Sequence, residues 1–263
     1  MTIKDITDYI EELAPLNYAE DFDNVGLLIG DSNSKVTGVL VTLDSLEETI
    51  DEAIAKNCNL IVSFHPIIFS GLKKLNGNTY VERVVLKAIK NDIAIYATHT
   101  ALDNVETGVS GRICDVLGLT NTEILLPKSS IKTQEVIGMG MIGELPIAMD
   151  ENVFLKFVKT RMKTACVRHS ETLGKPIKKV AVLGGSGSFA IPNAIASNAD
   201  AYISADFKYH DFFKAEKQLI LVDIGHYESE QFTKNLLVEY LSKKFTNFAI
   251  ILSEKSTNPI YYI

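Results

Sequence analysis

Residues 36–66 read VTGVLVTLDSLEETIDEAIAKNCNLIVSFHP and contain two apolar runs separated by an amphipathic segment. The runs Val36–Leu43 and Leu60–Phe64 have the length and the β-branched content of buried strands. Between them, Ser45 is placed to cap a helix whose apolar residues recur at helical spacing. A strand, a helix and a second strand joined by short connections predict a parallel βαβ unit.

The same alternation continues along the rest of the chain. Helical spacing predicts a helix over Tyr80–Lys90, and Ile93–Thr98 is the next apolar run. Further strands are predicted at Val136–Ile142, Val180–Leu183, Ala201–Ser204, Leu219–Ile224 and Phe248–Leu252. The segment Lys128–Thr133 is polar, and we interpret it as a joint. The pattern therefore predicts an α/β fold with two βαβ-type lobes, residues 1–127 and residues 128–263.

The composition narrows the class of protein. The 263 residues are 46% hydrophobic and 22% charged, which is ordinary for a globular chain and excludes fibrous repeats. No apolar run reaches the roughly 18 residues of a membrane helix, and the N-terminus shows no signal-peptide core. Three widely spaced cysteines indicate a reducing compartment, so we expect a cytoplasmic protein without membrane contact. The net charge of −7 argues against nucleic acid and leaves a small-molecule ligand open.

The placement of the histidines is the most informative feature. Four of the five lie at or just beyond the end of an apolar run: His65, His99, His210 and His226. Parallel sheets bind ligands at the carboxyl ends of their strands, so these four side chains are expected to converge on one cleft.

Carboxylates accompany two of these histidines. Asp103 follows His99 by four residues, and Glu230 follows His226 by the same distance. On a helix this spacing puts His226 and Glu230 on one face, close enough to share a cation. Imidazole and carboxylate ligands suit Zn, Fe, Mn, Ni or Co, and the absence of paired cysteines argues against a structural zinc site.

Six segments carry a family resemblance. They are DNVGLLIGD (23–31), SFHPIIF (63–69), HTALDNV (99–105), GGSGS (184–188), ADFKYH (205–210) and GHYESE (225–230). In this order they resemble the motifs of the GTP cyclohydrolase I type 2 homologues, a family with a dinuclear metal centre. The resemblance spans nearly the whole chain and matches the short form, which lacks a domain that longer members insert mid-chain.

The resemblance implies a metal site in the cleft between two α/β lobes, one or two divalent transition-metal ions per chain, and a homo-hexameric ring built from dimers. Four metal ligands are expected by matching position: His65, Asp103, His226 and Glu230. His99 and His210 are expected to line the site as catalytic residues. Asp23 is interpreted as a turn residue.

One position departs from the family pattern. Many members carry two consecutive histidines before the proline, and both bind metal, whereas Phe64 stands at the first of these positions here. Phenylalanine cannot coordinate a cation. We therefore expect a weakened second metal site, partly filled or completed by His99, His210 or water.

A second interpretation comes from the glycine-rich segment after the predicted strand at Val180. Gly185, Gly187 and Ala190 fit the dinucleotide pattern G-x-G-x-x-A, and Asp206 follows about 20 residues later. This pattern normally opens a longer run of strands than the chain has left. A tight strand-to-helix turn, or a turn that holds a substrate phosphate, also fits these glycines.

These features predict a metal-dependent hydrolase of a nucleotide-like small molecule, with purine ring opening of the GTP cyclohydrolase type implied by the resemblance. His210 or His99 is the candidate proton carrier, because imidazole titrates near neutral pH. The alternative is a non-catalytic, ring-shaped metal-binding or scaffold protein.

Overall fold

The computed structural model describes residues 1–129 and 136–263, and these residues divide into two compact units. Unit 1 comprises Met1–Leu102 and Thr233–Asn258, and unit 2 comprises Asp103–Phe232 and Pro259–Ile263. This division differs from the predicted lobes, because the chain returns to unit 1 near its C-terminus. Residues 130–133 of the predicted joint Lys128–Thr133 lie outside the described residues.

The helices are α1 (Ile3–Leu13), α2 (Glu47–Ala55), α3 (Tyr80–Lys90), α4 (His99–Asp103), α5 (Val109–Leu117), α6 (Glu151–Arg161), α7 (Ile191–Ala196), α8 (His226–Glu230) and α9 (Thr233–Lys244). Short 3₁₀ helices cover Leu16–Tyr18, Ser188–Ala190 and Tyr209–Ala215. Within the described ranges, no helix combines the length and the apolar character that crossing a bilayer requires.

The strands are β1 (Gly26–Ile29), β2 (Val39–Thr42), β3 (Leu60–Ser63), β4 (Ala94–Ala97), β5 (Thr120–Ser129), β6 (Val136–Met149), β7 (Arg168–His169), β8 (Ile177–Ser186), β9 (Ala201–Ala205), β10 (Ile220–Asp223) and β11 (Ile250–Leu252). They form two sheets, which confirms the predicted α/β class.

The sheet of unit 1 has the strand order β1-β4-β3-β2-β11. Strands β2, β3, β4 and β11 are parallel, and β1 is an antiparallel edge. The predicted βαβαβ run from β2 to β4 is therefore confirmed. The helix after β2 begins at Glu47 rather than on a Ser45 cap, because Leu46 is the capping position and its N–H donates to Thr49 Oγ1 at 2.7 Å.

The sheet of unit 2 has the order β5-β6-β8-β9-β10-β7 and is mixed. Only β8, β9 and β10 are parallel to one another, whereas β5, β6 and β7 join antiparallel. Both faces of the parallel part are covered, because Val180 and Val182 lie in one apolar cluster while Ala181 and Leu183 lie in another. The burial of both faces explains why these strands read as continuous apolar runs.

Candidate metal centre

In unit 2, the site residues follow two neighbouring parallel strands. Asp206 comes directly after β9, and Gly225 at φ +90° turns the chain from β10 into α8, which begins at His226. The Nδ1 atom of His226 lies 2.8 Å from Asp206 Oδ2, and its Nε2 atom lies 3.2 Å from Glu230 Oε2. The predicted proximity of His226 and Glu230 on one helical face is confirmed.

The electrostatics of this group favour a positive charge on the ring. Burial alone would lower the pKa of His226, but the carboxylates of Asp206 and Glu230 raise it to about 11. The hydrogen bond from His226 in turn lowers the pKa of Asp206. The Glu230 side chain is only 5% exposed, so its charge is poorly screened. Two carboxylates beside one imidazole stabilise positive charge at this place, whether it is a proton on the ring or a bound cation.

In unit 1, His65 follows β3 and His99 follows the neighbouring parallel strand β4. The His65 Nδ1 atom lies 2.8 Å from Asp44 Oδ1, and the His99 Nδ1 atom lies 2.8 Å from both carboxylate oxygens of Asp23. The centroids of the two imidazole rings are 5.4 Å apart. The expectation that strand-end histidines gather at one edge therefore holds for this pair.

Asp23 makes more hydrogen bonds than the shaping of a turn requires. Its side chain is fully buried and accepts hydrogen bonds from His99, from the Thr100 hydroxyl and from the Thr100 N–H, the last at 3.1 Å. Burial would raise the pKa of Asp23, but these donors hold it at about 2. His99 itself has φ +29°, an unusual conformation for a residue with a side chain. Asp23 thus orients the His99 ring as well as shaping the turn.

Phe64 lies beside both imidazoles of unit 1. Its side chain is completely buried, and its ring centroid is 4.9 Å from that of His65 and 5.6 Å from that of His99. Phenylalanine has no atom that can bind a cation, whereas a histidine at position 64 would have ring nitrogens that can.

Two other predicted residues have different surroundings. Asp103 ends helix α4, which begins at His99, and is partly exposed. His210 is exposed in the 3₁₀ helix Tyr209–Ala215, with its ring centroid 5.2 Å from that of Tyr209 and 6.1 Å from that of Phe213.

The glycine-rich segment does not have the environment of a dinucleotide fingerprint. The Gly185 N–H donates to Ser229 Oγ at 2.8 Å, so that group is already used within the protein. Asp206, which the dinucleotide interpretation assigns to a ribose, is the hydrogen-bond partner of His226. Gly187 packs directly against the hydroxyls of Ser204 and Tyr202. The segment is therefore part of the wall around His226 and Glu230.

Sequence reasoning missed the three carboxylates that hold the histidine rings: Asp44, Asp23 and Asp206. Asp44 and Asp206 lie at the carboxyl ends of strands, and Asp23 lies in a turn. Their local sequence also fits turn residues or, for Asp206, a ribose-binding residue. A usable signal was the number of acidic residues among the strand-end motifs, because a histidine that binds metal usually donates its other ring nitrogen to a carboxylate.

The fold and the site define a two-sheet α/β protein in which three strand-end histidines are each held by a carboxylate. The chain belongs to the Duf34/NIF3 (NGG1p interacting factor 3) family, whose model matches residues 1–259. It is 32% identical over 266 residues to the GTP cyclohydrolase 1 type 2 homolog of Clostridium acetobutylicum, with 98% of both chains covered.

Solved structures show the same fold over the whole chain. A Bacillus cereus protein related to NIF3 superposes with a TM-score of 0.93 at 26% identity, covering 100% of this chain and 99% of that one. A Staphylococcus aureus protein superposes with a TM-score of 0.91 at 30% identity and the same coverage. The resemblance seen in the sequence motifs is therefore confirmed.

Proposed function

We propose that the chain is a metal-dependent hydrolase of a nucleotide-like small molecule. The metal ligands in this proposal are His65, Asp103, His226 and Glu230. One observation carries the proposal: His65, His99 and His226 each have Nδ1 within 2.8 Å of a carboxylate oxygen. This arrangement orients each ring through Nδ1, so Nε2 is the nitrogen that would bind a metal ion, in exchange for its present contact in the case of His226.

The donor set fits a divalent transition metal. Glu230 Oε2 and His226 Nε2 are 3.2 Å apart, a separation that two ligands of one ion can have. Nitrogen and carboxylate oxygen donors suit Zn, Fe, Mn, Ni or Co. When bound, such an ion lowers the pKa of a bound water and polarises the bond under attack. We propose one or two ions per chain.

The number of ions depends on Phe64. Its buried ring stands beside His65 and His99 and offers no ligand atom. We therefore propose one firmly held ion and a weakened second site, partly filled or completed by His99, His210 or water. Two tightly held ions per chain after purification without added metal would contradict this part of the proposal.

Two histidines are proposed as proton carriers. His99 is oriented by the buried Asp23 carboxylate, so its Nε2 atom can take a proton without the ring turning away. His210 is exposed, which suits exchange of a proton with solvent.

A purine nucleotide is the proposed substrate class. The support is the name of the curated relatives, GTP cyclohydrolase 1 type 2 homolog, together with the motif resemblance. In the GTP cyclohydrolase reaction, water opens the imidazole ring of guanine in GTP, and a second hydrolysis releases formate.

We also propose a cytoplasmic homo-oligomer, a hexamer, without nucleic-acid or membrane partners. Light scattering coupled to size-exclusion chromatography measures the oligomeric state.

A non-catalytic metal-binding ring or scaffold is the second candidate. Phe64 favours it, because two-metal hydrolysis uses both ions and the buried Phe64 ring offers no ligand atom for a second one. The two functions differ in what the loss of a ligand does. A hydrolase loses turnover on His226→Ala while its assembly persists, whereas a scaffold shows no turnover and loses partner binding or assembly.

The test is a screen of purine nucleotides and pterins with metal-loaded protein, with chelated protein and with the His226→Ala variant. His169→Ala is the matched control, because His169 is exposed at the sheet edge and its Nδ1 lies near the Ser170 carbonyl oxygen. Turnover that requires metal and His226 but not His169 supports the hydrolase. Metal binding without turnover of any compound supports the scaffold.

A further inference from the structure

Gly185 lies directly against the side chains of two proposed metal ligands. Its backbone has φ +70°, and a Cβ atom at this position would overlap Glu230 Oε1 and lie 3.4 Å from both Glu230 Cδ and His226 Cε1. Glycine is therefore required for two separate reasons, the backbone conformation and the space taken by a carboxylate.

A methyl group at position 185 must shift the Glu230 carboxylate, because it would overlap Oε1. The Glu230 side chain is 5% exposed, so its carboxylate has to move within the protein. Displacement changes the 3.2 Å separation between Glu230 Oε2 and His226 Nε2, which is the geometry a shared cation needs.

Hydrogen bonds tie the glycine segment to the helix that carries both ligands. Ser229 Oγ accepts from the Gly185 N–H at 2.8 Å and donates to the His226 carbonyl at 2.7 Å. On the other side, Ser204 Oγ donates to the Gly185 carbonyl at 3.0 Å. These hydrogen bonds fix the end of strand β8 against helix α8, which carries His226 and Glu230.

We propose that Gly185 is a positioning residue, which together with the Ser229 hydroxyl sets the Glu230 carboxylate against the His226 ring for cation binding. This inference rests on the proposed metal site. It assigns a role to the GGSGS segment that neither a dinucleotide fingerprint nor a simple turn explains.

The test compares Gly185→Ala with Gly174→Ala. Gly174 has φ +71°, and nothing lies within 4 Å of a Cβ built there, so this variant carries the same backbone strain without the overlap. We expect zinc affinity, measured by competition with a chromophoric chelator on the full metal-free chain, to fall about 10–100-fold in Gly185→Ala. The Gly174→Ala affinity should stay at the wild-type value. Cobalt absorption should change shape in the first variant alone.

Ser229→Ala keeps the inference testable if Gly185→Ala does not fold, and Glu230→Asp adds a test of compensation if it does. Ser229→Ala removes the acceptor of the Gly185 N–H and should also weaken zinc binding. Glu230→Asp shortens the ligand, so it should weaken binding in the wild type but restore part of it in the Gly185→Ala background. Such opposite effects cannot come from general destabilisation.

The outcomes separate this inference from the proposed function. Wild-type protein that binds no zinc overturns both. Wild-type binding with equal affinities in Gly185→Ala, Ser229→Ala and Gly174→Ala overturns the positioning role alone and leaves the metal site standing.

Discussion

His226 in unit 2 and His65 in unit 1 each follow a parallel strand, but their surroundings differ. The His226 ring has a carboxylate at each nitrogen, Asp206 at 2.8 Å and Glu230 at 3.2 Å. The His65 ring has Asp44 at Nδ1 and the buried Phe64 ring beside it. His226 is therefore flanked by two carboxylates of its own unit, whereas an aromatic ring stands beside His65. Unit 2 carries three of the four proposed ligands, Asp103, His226 and Glu230, so we expect it to contribute most to cation binding.

The largest effect is expected from removing a ligand in unit 2. His226→Ala or Glu230→Ala should lower zinc affinity by more than about 100-fold, beyond what loss of a supporting hydrogen bond costs. His65→Ala should cost less, because the three proposed ligands of unit 2 remain. Chelator competition measures all three, with His169→Ala as control. Equal losses for His65→Ala and His226→Ala would remove the asymmetry.

The pH dependence of metal binding sharpens the same comparison. The pKa of His226 is raised to about 11, so at neutral pH a cation must displace its proton. Affinity should therefore increase with pH, roughly tenfold per unit for one proton released. Asp206→Asn removes a negative charge beside the ring, which lowers the pKa of His226 and makes the dependence level off at lower pH. Affinity that does not change with pH contradicts the assigned role of the carboxylates.

Changing Phe64 addresses unit 1 directly. Phe64→His adds a nitrogen donor beside His65 and His99, and the amount of zinc held per chain should rise. Phe64→Leu removes the aromatic ring without adding a donor and should leave the stoichiometry unchanged. Elemental analysis of extensively dialysed protein measures both. An unchanged metal content in Phe64→His means that the ring does not limit the second site.

A smaller effect, on stability, is expected at Asp23. Asp23→Asn weakens the hydrogen bonds to His99 and Thr100 and should lower the free energy of unfolding by about 1–3 kcal/mol at neutral pH. The folded-state pKa of Asp23 is depressed to about 2 from 3.8, so this contribution is present above 3.8 and is lost as the pH falls towards 2.

Urea unfolding of both proteins across this pH range measures the effect, and the exposed Asp21→Asn serves as the control. The difference between the wild type and Asp23→Asn should shrink in acid. A constant difference would mean that the Asp23 charge is not what stabilises the turn.

The strand ends could be predicted from the sequence, because short apolar runs and histidines directly after them are local features. Val36–Leu43, Leu60–Phe64 and Ile93–Thr98 contain β2, β3 and β4, and the parallel order followed from the helices between them. The i and i+4 spacing of His226 and Glu230 also predicted the contact between their side chains.

Features that depend on tertiary structure could not be predicted. The segment after β10 forms two helices, α8 and α9, and the chain passes from unit 2 to unit 1 between Phe232 and Thr233. Asp44 and Asp206 pair with histidines that lie 21 and 20 residues away. Nothing in their local sequence separates a turn-forming aspartate from one that orients an imidazole.

The most direct test is anomalous diffraction at the zinc absorption edge, from crystals of the protein loaded with zinc. The account predicts a peak within about 2.0–2.2 Å of donor atoms from His65, Asp103, His226 and Glu230. A structure in which zinc is bound elsewhere, or in which these four residues hold no ion at saturating zinc, would contradict it.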